Sequence, residues 1–468
     1  MVKFGLERDS LAETSGQAST DGRSAPALAV AGVSSRYRIL VLVLLMLVYA
    51  SSYADRSIIA VVQERIKHEF GLADWQLGFL GGTSFAVFYS VLGIPIARLA
   101  DRLNRVNIIV VCMALWSLMT AFCGLAGSFA YLVAGRLGVG VGEAGCTPPS
   151  HSIISNYFPV EHRAWALSIY SAGMTLGAMI AALGGGWIAQ TYGWRTTFLV
   201  LGIAGVVVVA IVKLAIREPL RPDQSQDGVP ALSVIVKQLL GSRTYTNVLI
   251  ASIIGAFLNS AITQFTISFF LRSHHLILVD ATLLFAVAQG LFATIGVIGG
   301  GVIVNRLRLR IPDIEPLVCM ASTIVCGISF ALAYATSSLW PAITALMTAT
   351  LAQWFYVGPS FGMMQSVAPE RGRATAMGVY LFSTSLLGGG LGPLVVGLIS
   401  DTIARSIERT HGLSPAACSL VASAQPALCA VARANGLQIA IAISCVLFFL
   451  AAYHFAIARR YYLREIKH

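Results

Sequence analysis

Twelve apolar runs, each long enough to cross a ~30 Å hydrocarbon layer as a helix, fill the chain after residue 36. Backbone placed in lipid must satisfy its hydrogen bonds internally, so a chain of this kind folds as an all-α integral membrane bundle. Charge supports the same conclusion. Only 11% of the 468 residues are charged, whereas a soluble domain carries roughly 25%. A soluble enzyme, a secreted disulfide scaffold and a nucleic-acid binder are therefore excluded. The net charge of +11 matters less than where the positive residues sit.

The spans begin near residues 37, 76, 106, 129, 164 and 194, and, after a polar interval, near 244, 281, 312, 339, 373 and 435. The sequence thus divides into a flexible cytoplasmic tail (1–36), a six-helix bundle (37–216), a cytoplasmic linker (217–243), a second six-helix bundle (244–458) and a cytoplasmic tail (459–468). The linker is rich in Pro and Asp and contains one short apolar-periodic piece from Ala231 to Leu240, read as a surface helix. The first apolar stretch, from Tyr37 past Ile59, is too long for a cleaved signal peptide, and the first span is expected to exit near Val62. With the N-terminus inside, most lysines and arginines fall in cytoplasmic segments, which predicts a multi-pass protein of the inner (plasma) membrane with both termini cytoplasmic.

The halves repeat. Pro149, Pro159, Arg163, Ala164, Ala166 and Tyr170 recur as Pro359, Pro369, Arg373, Ala374, Ala376 and Tyr380, and ARLADRLNR at Ala97–Arg105 is echoed by GVIVNRLRL at Gly301–Leu309. A repeat of six spans keeps its orientation, so the halves are related by a pseudo-twofold axis along the membrane normal and can rock about a central site.

Four ionisable residues lie inside spans: Asp55 and Arg56 in the first, Arg136 and Glu143 in the fourth. Each costs at least ~2.5 kcal/mol at such depth. Arg136 and Glu143 are two turns apart on one helix face, and Asp55 and Arg136 fall at similar depth, where they can meet. Asp55 and Glu143 read as proton-coupling carboxylates, with Arg56 and Arg136 as charge partners that can also hold an anionic headgroup. The alternative is a permanently ionised structural bridge.

At the cytoplasmic end of the second span, Asp101 with Arg102 and Arg105, and their echo at Asn305 and Arg306, read as a gate brace. The Asp101 carboxylate would bond the amino end of the helix that opens near Arg373. Candidate cavity residues are Tyr170, Asn259, Thr263, Gln264, Gln353, Trp354, Tyr356 and Tyr380, each of which could instead serve helix packing, and Thr147 sits beside the proline pair of the fourth span. Pro148, Pro149 and Pro359 should kink the fourth and tenth spans. GVGEAG at Gly140–Gly145 has no preceding strand and is no nucleotide loop, and His274 and His275 lack metal-ligand company. No cofactor or metal is expected. Cys418 and Cys429 share the external segment 402–434 and form either a bridge or two free thiols.

The six-plus-six layout, ARLADRLNR with its echo, Arg136, and YGWRTTF at the start of the sixth span together resemble the major facilitator superfamily. Within it, YADRSIIA at 53–60 and GRLGVGVGEA at 135–144 resemble the Spinster family, whose members are linked to sphingosine phosphate and lysophospholipid transport. Two departures from the superfamily gate motif are Ala97 and Asn104, where glycines are usual. The resemblance implies a non-enzymatic, monomeric, proton-coupled transporter that works by alternating access. Its cargo would be a lysolipid or sphingoid phosphate, with Asp55 and Glu143 as protonation sites and Thr147 in the cavity. The competing expectations are proton-coupled symport of a small organic anion or sugar acid, and a receptor or scaffold that transports nothing.

Overall fold

The computed structural model describes residues 34–219, 232–369, 372–411, 418 and 426–466. The described chain is helical and arranged as twelve spans. Nine of them are helical stretches long and apolar enough to cross a membrane by that measure alone, and the others cover 74–102, 129–157 and 339–367. Both described ends, Ser34 and Ile466, lie on one face of the bundle, here the terminal face. The first span is a single helix, Ser35–Phe70, that continues two turns beyond the exit expected near Val62. It stops where Gly71 takes φ 64°, a left-handed conformation that suits glycine, and Leu72 N–H closes back on the Lys67 carbonyl. The twelfth span begins at Pro426, earlier than the 435 expected.

Proline position explains the breaks. The fourth span runs as Phe129–Glu143 and Thr147–Tyr157, and the tenth as Leu339–Phe355 and Val357–Val367. Pro149 and Pro359 each sit in the third position of the second segment, where the missing N–H and the ring displace the preceding turn. Four other spans carry π-helical turns: Phe79–Thr83 in the second, Ile180–Gly185 in the fifth, Val287–Phe292 in the eighth and Thr384–Gly390 in the eleventh. These are repeat-equivalent positions, and all four spans pack across the boundary between the halves. Glycine makes the approach possible. A Cβ at Gly82 would lie 2.9 Å from the Gly390 carbonyl oxygen, and one at Gly290 would lie 2.9 Å from Met179 Sδ.

The apolar packing is distributed unevenly along the membrane normal. Toward the terminal face each half has its own cluster, one around Leu45, Trp116 and Ile153, the other around Tyr245, Met363 and Phe455. Toward the opposite face, here the distal face, one cluster joins both halves: Ile58, Val62 and Ile66 pack with Leu258, Ile262 and Phe265. Because lipid is as apolar as these side chains, close packing rather than removal from water holds them. Cys418 and Cys429 form a disulfide near this face.

Candidate functional site

On the first helix, Ser52 and Arg56 are one turn apart and face the fourth span, and both reach the same carboxylate oxygen of Glu143. Arg56 Nε lies 2.6 Å from Glu143 Oε2, and Ser52 Oγ donates to that oxygen at 2.7 Å. Three aromatic rings hold the guanidinium: Tyr89 at 4.4 Å, Phe85 at 4.7 Å and Tyr53 at 5.1 Å from ring centroid to the guanidinium carbon. Cation–π contact of this kind keeps a charge in an apolar setting at reduced desolvation cost. The pair is asymmetric in access, since the Arg56 side chain is 22% exposed and that of Glu143 is 0%. Arg56 is the member a ligand can reach.

Asp55 and Arg136 behave differently from the expectation. Arg136 Nη1 donates at 2.9 Å to the main-chain carbonyl of Asp55, not to its carboxylate. The side chains of Asp55 and Arg56 leave the helix about 100° apart. With Arg56 turned to Glu143, the Asp55 carboxyl faces Trp116 and Thr120 of the third span, and both Asp55 and Arg136 are buried.

The other candidates separate into groups. Tyr170 stacks on Tyr49 at 4.6 Å, and Tyr49 meets Tyr53 at 5.1 Å, so an aromatic row runs from Tyr170 to Arg56. Thr147 is half-buried where the second segment of the fourth span begins. Across the bundle, Thr263 donates to Asn259 Oδ1 at 3.3 Å, Trp354 Nε1 donates to Gln289 Oε1 at 3.4 Å, and Gln353 is buried. Tyr380 meets Phe361 edge-on at 5.1 Å. Tyr356 packs on Phe455 inside the C-terminal half, away from the halves' boundary. Gln264 bridges the halves instead of standing free: its Nε2 donates to Gln63 Oε1 at 2.5 Å, while Gln63 Nε2 donates to the Gln264 carbonyl at 2.6 Å.

Of the gate residues, Arg102, Asn305 and Arg306 are exposed, and the side chains of Asp101 and Arg373 lie outside those described. Arg105 is buried within the N-terminal half. It bonds Glu218 at 2.7 Å, Ser152 Oγ at 2.8 Å and the Pro219 carbonyl at 3.0 Å.

Sequence reasoning missed a charge network on the distal face. Arg272 of the seventh span forks onto two carboxylates of the other half: Glu64 at 2.5 and 3.0 Å, and Asp74 at 2.8 and 2.9 Å. Lys67 also pairs with Asp74, and Ser400 Oγ donates to Asp74 Oδ2 at 2.7 Å. From the eleventh span, Asp401 accepts the main-chain N–H groups of Asp74 at 3.0 Å and Trp75 at 2.9 Å, capping the amino end of the second span. A carboxylate bonding the amino end of a helix in the other half is the device expected of Asp101, and here it stands on the opposite side of the membrane. The available signal was the i, i+3 spacing of Glu64 and Lys67, which continues the face of the first span past Val62.

A family model described as the Major Facilitator Superfamily matches residues 45–393. The chain is 29% identical over 388 residues to an MFS-type efflux pump of Mycolicibacterium smegmatis, covering 81% of this chain and 88% of that one. It is 24% identical over 411 residues to a D-galactonate transporter of Escherichia coli, covering 81% and 91%. Among solved structures, a bacterial homolog of the human lysosomal transporter Spinster, in an inward-facing and unoccupied conformation, matches with a TM-score of 0.83 at 32% identity. That match covers 92% of this chain and 99% of the other.

Proposed function

The chain belongs to the Major Facilitator Superfamily and is Spinster-like, and from that membership we propose that it is a proton-coupled transporter of an anionic amphiphile, a lysolipid or sphingoid phosphate. That it is a multi-pass membrane transporter and not an enzyme follows from the family itself. The observation that carries the finer reading is the Arg56–Glu143 pair: a buried carboxylate neutralising an accessible, aromatic-ringed guanidinium. Protonating Glu143 removes the charge that holds Arg56, and the released guanidinium fork is then available to a phosphate or carboxylate headgroup. Deprotonation restores the bridge and expels the anion. The Glu143 carboxylate and the substrate anion thus compete for one arginine, so proton and substrate bind together, and rocking of the halves exposes that arginine to each side in turn. The terminal face is assigned to the cytoplasm of an inner-membrane protein by the charge bias of the sequence.

A second reading, symport of a sugar acid, is favoured by the likeness to the D-galactonate transporter over 91% of that protein. Uptake into proteoliposomes of labelled lysophospholipid, sphingosine phosphate and D-galactonate, each with and without an imposed pH gradient, separates the two. Gradient-dependent lipid uptake is the expected result. Uptake of D-galactonate alone would overturn the lipid reading.

A further inference from the structure

Behind the Arg56–Glu143 pair, five side chains leave polar atoms unpartnered in one buried place. Asp55 Oδ1, Glu143 Oε1, Arg136 Nε and Nη2, Trp116 Nε1 and Thr120 Oγ1 close no well-formed hydrogen bond among the described residues, although Trp116 and Thr120 reach toward the Asp55 carboxyl, and all five residues are 2% exposed or less. Leaving one such group unsatisfied is costly, and several together in a packed interior point to a bound partner. Its chemistry follows from the set. Arg136 and Trp116 only donate, the two carboxylates accept when ionised, and the Thr120 hydroxyl does both. Water matches that mixture, donating two hydrogens and accepting two, and it is small enough for a site closed to larger anions.

The positions agree. Trp116 and Thr120 are one turn apart on the third span, so their polar atoms share a face, and both stand beside the Asp55 carboxyl. Gly142, next to Glu143, packs on the Trp116 backbone, where an added Cβ would lie 2.8 Å from Trp116 N. The charged and titratable groups facing Asp55 are Arg136 and Glu143 from the fourth span and Cys123 from the third, while Arg56 on its own helix turns away to Glu143.

We infer that Trp116 and Thr120 hold a water that relays a proton between Asp55 and Glu143, making them positioning residues for the coupling step. The proton leaves the Asp55 carboxyl for the water oxygen, and the water passes one of its own protons to the Glu143 carboxylate. Asp55 is left ionised, Glu143 neutral and the water unchanged. This relay rests on the proton-coupling reading above and adds to it a defined path, through the third span, that Arg56 does not touch.

The test needs no substrate. After a rapid drop in pH, infrared difference spectra of the reconstituted full chain follow the carboxyl bands, assigned by their loss in Asp55→Asn and Glu143→Gln. Thr120→Val and Trp116→Phe should each slow the appearance of the Glu143 band by about tenfold, the effect of one lost hydrogen bond on a barrier. Thr120→Ser should restore the rate, and the melting temperature of each variant shows that it is folded. Wild-type rates in both Thr120→Val and Trp116→Phe would overturn the relay while leaving the protonation sites in place. Spectra in which neither carboxyl variant removes a band would overturn the protonation sites, and the relay with them.

Discussion

Replacing Arg272 by alanine should open the distal face. In the described state this one guanidinium holds Glu64 and Asp74 through four contacts between 2.5 and 3.0 Å, at 11% side-chain exposure. Its removal leaves two carboxylates with Lys67, paired to Asp74, as the only cation bridged to them among the described residues. Breaking a buried pair by deleting one partner costs ~3–5 kcal/mol, and in an open state, where water reaches the same groups, the deletion costs little. Taking ~3 kcal/mol as the difference, the equilibrium moves toward the open distal face by about two orders of magnitude, since ~1.4 kcal/mol is tenfold. Arg272→Lys should move it less, because a lysine keeps the positive charge even though it cannot fork onto both carboxylates. Spin labels at Leu125→Cys and Trp340→Cys, which are 71% and 75% exposed at the distal ends of opposite halves, report the separation once the half-buried Cys112 is replaced by serine. A longer distance population in Arg272→Ala is the expected result. An unchanged distribution, in protein with an unchanged melting temperature, would refute the view that this network latches the halves.

Three further outcomes follow from local geometry. Gly397→Ala would put a Cβ 2.5 Å from the Asp74 carbonyl oxygen and 2.8 Å from Trp75 Cα, backbone that cannot step aside. The overpacking cost of ~1–3 kcal/mol falls on the closed distal face, so the same spin-label pair should lengthen, and an unaltered distance would count against a tight seam there. Arg105→Ala removes bonds to Glu218, Ser152 and Pro219 within one half, so it should lower the melting temperature, by the ~1–3 kcal/mol of a partly exposed pair, without altering that distance. Reversing the charge at Asp101, in Asp101→Lys, should lengthen label distances across the terminal face if that residue braces a gate, and no change would return it to a solvated surface role.

Much of the fold could be read from the sequence, because a membrane admits so few solutions. Span positions followed from apolar length, the repeat from matched prolines and arginines, and the helix breaks from Pro149 and Pro359. The Arg56, Arg136 and Glu143 positions stood out because charge in lipid demands a reason. What could not be read was which partners would meet. Asp55 and Arg136 were at the right depth, yet the rotation that brings Arg56 to Glu143 turns the Asp55 carboxyl toward Trp116 and leaves only its carbonyl for Arg136. The distal network was hidden for another reason. Arg272 and Glu64 are 208 residues apart, and Glu64 joins the face of the first span only because that helix continues past Val62 to Phe70.

The central claim is that the Arg56–Glu143 bridge couples proton to substrate. It is tested most directly by comparing gradient-driven uptake with gradient-free exchange of the transported compound, in wild type and in Glu143→Gln. The account predicts that Glu143→Gln loses the gradient-driven component and keeps exchange, because Arg56 is then permanently free to bind the anion. Gradient-driven uptake in Glu143→Gln equal to wild type would contradict it.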